Sequence, residues 1–314
     1  IQMKLTKRLM AAVFTCLICS LAIGQEDTET SLSNIQEYTP SKLLKKGQWD
    51  IKFFNSIYTQ TEQTDAGSTS NKIPRETFFT NTTEVYTGIS ERSRINLGLI
   101  VQVRANTYGG AGALDVLSFE NNSTDARSGL STIAPSIRVQ PFSAIGNFSL
   151  TSSFYIPLFK DTPNAPYLDK RSFTWETKFF YDKTFWGNKW QIFTEADFAF
   201  NFGETRQDAD PLTENVSERF ANNSLSLPIS AFLSYFPTSK STVFVNAQQA
   251  FLIGYDNPND AGDNFSQNYT SVGIGGKYQV TEVLNVEASF GKFIRGSNFQ
   301  GLGQTFSIGL RALL

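Results

Sequence analysis

The chain has 314 residues, 27 of them Lys or Arg against 29 Asp or Glu, and no histidine. A net charge of -2 excludes the basic surface that nucleic-acid binding demands, and a slightly negative mean hydropathy excludes a bundle of apolar membrane helices. Aromatic residues still make up 14% of the chain, with 28 Phe and 11 Tyr, a load that suits a sheet with one face in lipid.

Residues 1–24 read as a signal peptide. Lys4, Lys7 and Arg8 form a charged start, and the apolar run over 9–23 is shorter than the roughly 20 residues of a spanning helix. Small residues at Ala22 and Gly24 place cleavage before Gln25. Cys16 and Cys19 both fall inside this segment, so the exported chain is expected to hold no thiol, disulfide or thiolate metal site. Neither cysteine follows the small residue that lipid attachment requires. Residues 25–46 are expected as a short periplasmic N-terminal segment, far too short for a folded plug. A flexible tail is the expectation there; the alternative is one helical turn over 40–46, capped by Thr39 and resting in or under the lumen.

From residue 47 to 314 the expectation is a transmembrane, antiparallel, up-and-down β-barrel of about 12 strands. Period two is strict at Ile95, Leu97, Leu99, Val101 and Val103 against Asn96, Gly98, Gln102 and Arg104. It recurs at Ile192, Ala196, Phe198 and Phe200, and at Leu225, Leu227, Ile229, Ala231 and Leu233. Strands are predicted at 47–58, 76–90, 94–106, 130–142, 147–158, 172–184, 189–202, 223–236, 241–254, 268–280, 283–294 and 302–314. Nearly all reach the 9 to 11 tilted residues, or about that, which a bilayer crossing needs. The connections alternate between tight (91–93, 143–146, 185–188, 237–240, 281–282) and long and polar (59–75, 107–129, 159–171, 203–222, 255–267). Short periplasmic turns and long extracellular loops are the rule for barrels of this kind. Trp186, Trp190, Tyr235, Phe236 and Tyr278 gather at strand ends, as an interfacial girdle would.

Parity then sorts the charges. Asp50, Glu84, Glu176, Glu195, Asp197 and Glu287 fall on the lumen face, as do Lys52, Arg104, Arg138, Lys178, Lys277 and Arg311. A charge facing lipid near the midplane costs about 2–4 kcal/mol, so this parity implies an interior that is wet or mutually paired. A polar channel with opposed acidic and basic walls and a salt-bridged, closed interior stand as equal readings. Phe54, Phe78, Tyr86, Phe180, Phe193, Phe232 and Phe244 share the lumen parity and imply a narrow passage, or one lined for solutes with an apolar part.

The segment Leu43-Leu44-Lys45-Lys46-Gly47-Gln48-Trp49-Asp50, the predicted cleavage before Gln25 and the closing Gly309-Leu310-Arg311-Ala312-Leu313-Leu314 resemble the small porin-like or transporter-like outer-membrane barrels of the Bacteroidota. One departure is the final Leu314, where many such barrels end on Phe or Trp. The resemblance implies location in the outer membrane, contact with outer-membrane lipid and lipopolysaccharide, and insertion by the assembly machinery that reads a terminal outward-facing strand.

Chemistry is sparse. Without histidine, and with cysteine confined to the signal peptide, the chain lacks the groups best matched to proton transfer near neutral pH, so no enzyme and no cofactor are expected. Glu195 and Asp197, two apart on one strand, read as part of a solvated lumen. The run Asp256-Asn257-Pro258-Asn259-Asp260-Ala261-Gly262-Asp263 has acidic spacing, but Pro258 replaces an oxygen ligand and Gln267 stands where a calcium loop needs Glu. Gly273, Gly275 and Gly276 lie within a strand, where close packing or lumen space explains them better than a phosphate loop. The expected function is passive passage of small solutes through a narrow channel. Two alternatives remain open: uptake of small hydrophobic or aromatic compounds, and a non-transporting barrel whose loops 107–129 and 203–222 bind a partner or surface polymer.

Overall fold

The computed structural model describes residues 39, 41–65, 67–122, 124–159, 167–169, 172–203, 223–254, 266–298 and 300–314. Residues 1–38, which include the expected signal peptide, the loop 203–222 beyond its first residue, and the acidic run 256–263 lie outside these. Among the described residues twelve strands close one antiparallel barrel. They are β1 (Trp49–Thr64), β2 (Ser70–Gly88), β3 (Ile95–Thr107), β4 (Ala126–Val139), β5 (Phe148–Pro157), β6 (Phe173–Phe185), β7 (Trp190–Phe202), β8 (Ser224–Thr238), β9 (Ser241–Gly254), β10 (Ser266–Gln279), β11 (Leu284–Ser297) and β12 (Gln304–Leu313). Every strand pairs with its sequence neighbours, and β1 pairs with β12 from Asp50↔Leu313 to Thr59↔Gln304. Closure leaves no edge, which is the condition for a sheet to stand in hydrocarbon.

Outward parity carries the apolar side chains. Leu97, Leu99, Ile137, Ile192, Phe198, Leu233, Val245, Ile274, Ile308 and Leu310 are all exposed. Trp186, Trp190 and Tyr235 stack in series at the tight-turn end, with centroids 6.1 and 4.9 Å apart, which is where amphipathic rings meet an interface. Pro135 and Pro228 interrupt one ladder each: β4–β5 pairing stops at Ile133↔Ile156 and resumes at Ser136↔Ser153, while β7–β8 stops at Ala196↔Ile229 and resumes at Ala199↔Ser226. A proline has no N–H to give to that neighbour.

One expectation is corrected. The predicted loop 59–75 shrinks to 65–69, because β1 and β2 remain paired beyond Gln60, past a bulge, out to Thr64↔Ser70. These residues are polar on both faces, so the period-two signal vanishes although the hydrogen bonding continues. The long loop 107–129 packs in part on the barrel. Its short 3₁₀ helix, Asp115–Ser118, buries Val116 against Phe79 and Ala105 on the outer wall, and Phe119 packs edge-on to Phe79 at 5.3 Å.

Glycine and aromatic residues face each other across the lumen side of the sheet. Tyr86 is in register with Gly98, Phe244 with Gly275 and Phe54 with Gly309. A Cβ at any of these glycines would overlap the partner ring, so each glycine lets a ring lie flat on the neighbouring strand. Gly309→Val is therefore expected to destabilise the barrel by about 1–3 kcal/mol through overpacking. Combining it with Phe54→Ala recovers part of the loss, as read from urea unfolding in lipid vesicles.

Candidate functional site

The candidate site is the lumen, and its charged residues meet in three groups. Near the tight-turn end, Arg311 donates from Nε to Asp50 Oδ1 at 2.7 Å and from Nη2 to Oδ2 at 2.9 Å, a two-point fork on a fully buried carboxylate. Lys52 Nζ donates to Glu84 at 2.9 Å. Arg138, on β4, lies 4.0 Å from Asp50 and 3.9 Å from Glu84, linking both pairs, and its guanidinium stacks 4.1 Å from the Tyr86 ring centre. β2 and β3 separate β4 from β1, so the contact with Asp50 depends on the curvature of the sheet. Three cations and two carboxylates make this group net positive.

Farther along the axis, Lys178 sits among three carboxylates: Asp197 at 3.2 Å, Glu195 at 3.5 Å and Glu176 at 3.6 Å. Tyr155 donates to Glu176 at 2.8 Å. This group is net negative, so the wall alternates in sign along the axis. Lys277 and Glu287, cross-strand partners on β10 and β11, pair at 2.9 Å with the lysine side chain 41% exposed to the interior. The last of the twelve candidates, Arg104, does not join these groups. It reaches Asp169 at 3.1 Å in the β5–β6 connection, while Asn106 donates to the carbonyls of Tyr167 and Leu168 at 2.5 and 2.9 Å. Residues 167–169 of that connection thus lie against β3, with Leu168 buried.

The lead-in to β1 is not a free tail. Ser41, Leu43 and Leu44 are buried, and Thr39 donates to Asp182 on β6 at 3.1 Å. Gln140, after β4, donates to the Ser41 carbonyl at 3.2 Å, and Lys46 bridges Gly88 at the end of β2. The strap thus crosses the tight-turn mouth on the β2–β7 flank. A turn runs from the Lys42 N–H to the Thr39 carbonyl, and the Thr39 hydroxyl serves Asp182 and Ser41 instead of a helix cap. The sequence signal for it was Leu43-Leu44, two apolar residues in an otherwise polar segment.

The opposite flank is open. A cavity of about 220 Å³ lies between Thr39 of the strap and β7–β12 and β1, lined by Phe54, Phe193, Phe232, Phe244, Lys277 and Arg311 among others. Its aromatic wall is continuous: Phe180, Phe193, Phe232 and Phe244 follow one another at 5.9, 5.6 and 5.8 Å. A second aromatic set, Tyr58, Phe78, Tyr108, Phe293 and Tyr269, narrows the other half of the lumen. No group of His, Cys, Asp and Glu suited to a metal ion occurs among the described residues.

No family model and no curated protein matches this chain. Solved structures do. An outer membrane channel from Pseudomonas putida F1 superimposes with a TM-score of 0.62 at 11% identity, covering 91% of this chain and all (100%) of that one. The beta domain of the Bordetella autotransporter BrkA gives 0.49 at 12% identity over 84% of this chain and 98% of that one. The NanC porin gives 0.42 at 9% over 84% and 98%. The fold is that of outer-membrane β-barrels, and the first of these similarities carries that statement.

Asp50 holds Arg311 and Arg138 together, and removing a buried counter-ion costs about 3–5 kcal/mol. Asp50→Asn is expected to lower stability by about 3 kcal/mol, the low end of that range because Arg311 keeps 20% exposure. Equilibrium unfolding of the refolded barrel in urea checks it.

Proposed function

We propose that this chain sits in the outer membrane and forms a narrow channel through which small solutes pass without energy input, along the flank lined by β8–β12 and β1. One observation carries the reading. The lumen is not filled: beside the ion-paired flank and the strap lies a cavity of about 220 Å³ with charged and aromatic walls, whereas an eight-stranded barrel would be packed solid by its own side chains. The outward apolar belt and the girdle of Trp186, Trp190 and Tyr235 support a membrane location, and the fold of the P. putida channel agrees with it.

Uptake of compounds with an apolar part is the second reading, favoured by the run of four lumen phenylalanines. A non-transporting barrel with loops as the working surface has less support. Of its two loops, 107–129 is partly docked on the barrel's own wall through Val116, and 203–222 is outside the described residues but for its first.

Planar-bilayer recording of refolded residues 25–314 tests the proposal. Steady, small conductance steps are expected, and a silent bilayer with insertion verified by heat-modifiable migration would sink it. The strap gives a further prediction: a variant beginning at Lys46 removes Thr39 from the cavity wall, so its conductance should rise at least about twofold.

A further inference from the structure

The open cavity is asymmetric in chemistry as well as in position. One side is the aromatic wall of Phe193, Phe232 and Phe244, with Phe54 across from it. The other side is polar and carries Lys52, Lys277 and Arg311 against a single carboxylate, Glu287. The counter-ions of Lys52 and Arg311, Glu84 and Asp50, do not line the cavity, so the charge facing it is positive. Lys277 lies where the two sides meet, its ammonium 5.7 Å from the centre of the Phe244 ring.

Two polar atoms at that junction lack partners. The Thr242 hydroxyl, on a residue only 3% exposed, and the Asn285 amide oxygen are both buried without a hydrogen bond, and both residues line the cavity. Thr242 is the cross-strand partner of Lys277, and Asn285 that of Arg311. Buried polar atoms rarely go unsatisfied. Their position next to two cations marks the place where a ligand's polar head belongs.

We propose that this cavity is a binding site for a small organic anion with a flat apolar body, of the aromatic monocarboxylate class. The ring lies against Phe193, Phe232 and Phe244, and the carboxylate accepts from the Lys277 ammonium and the Thr242 hydroxyl. The Arg311 guanidinium adds its charge, and the Asn285 oxygen, an acceptor, takes a water beside the head. The size fits: a cavity of roughly 150 Å³ suffices for benzene, and the remainder here takes a carboxylate. This inference deepens the channel reading by naming the class of solute, and it rests on that reading only in placing the site on the solute's path.

Saturation-transfer NMR and calorimetry on the refolded full barrel in detergent, with phenylacetate, benzyl alcohol, benzylammonium and acetate as probes, test the site without requiring conductance. Phenylacetate should bind at least about tenfold more tightly than the other three, the factor lost with one charge-assisted hydrogen bond or with the apolar contact. Lys277→Gln should erase the preference over benzyl alcohol and Phe232→Ala that over acetate, while Lys277→Arg keeps it; heat-modifiable migration confirms that each variant is folded. Equal binding of phenylacetate and benzyl alcohol, preference for benzylammonium, or a preference that survives Lys277→Gln would each overturn the proposal. Binding of phenylacetate to a barrel silent in the bilayer would uphold the site and remove the channel. Conductance that phenylacetate does not block, together with no binding, would keep the channel and remove the site.

Discussion

In hydrocarbon an unpaired backbone N–H or C=O has no water to turn to, and each one costs several kcal/mol. The pairing of β1 with β12 answers that constraint, and much of the interior depends on it. The same register that closes the sheet sets Arg311 against Asp50 and Gly309 against Phe54. Arg138 can then reach across to Asp50 and Glu84, since curvature brings β4 within range of β1. A sheet left open at that seam would lose its edge hydrogen bonds, the Arg311–Asp50 fork and a ring–glycine contact together.

Closure at twelve strands also fixes how much the side chains must fill. The β2–β6 flank holds most of the two ion-paired groups and is covered by the strap from Thr39 to Lys46. Between β7–β12 and β1 the cavity remains, with the small Ser234 and Gly309 among the groups that line it. Charges of both signs are therefore tolerated inside for different reasons. Asp50, Glu84 and Arg138 are held by one another, whereas Lys277 and Glu287 keep contact with the open space. Lys52 and Arg311 line that space as well, so three cations face a solute against one carboxylate, and equal numbers of acidic and basic residues on the lumen face do not imply a neutral passage.

The exposed Lys46–Glu91 pair at the mouth contributes little to stability, as surface pairs usually do. What holds the strap is burial of Leu43 and Leu44 and the hydrogen bonds to Asp182 and Gln140. A segment anchored by a few such contacts at a mouth belongs to the less stable part of a fold.

By itself the sequence determined the strands and their two faces. Alternation at period two and tight turns are local signals, and the cost of a charge in lipid makes parity strict; β9 falls at 241–254 in both the reading of the sequence and the structure. Where that cost lapses, as at the polar tips of β1 and β2, the signal failed and a hairpin read as a loop. Parity also put Phe193, Phe232 and Phe244 on the same face as Lys277 and Arg311. Which of these residues meet was decided only by the tertiary structure. Contacts such as Arg138 with Asp50, the strap across the mouth and the shape of the space left beside it depend on strand number, stagger and curvature, which act through space and leave no periodic trace along the chain.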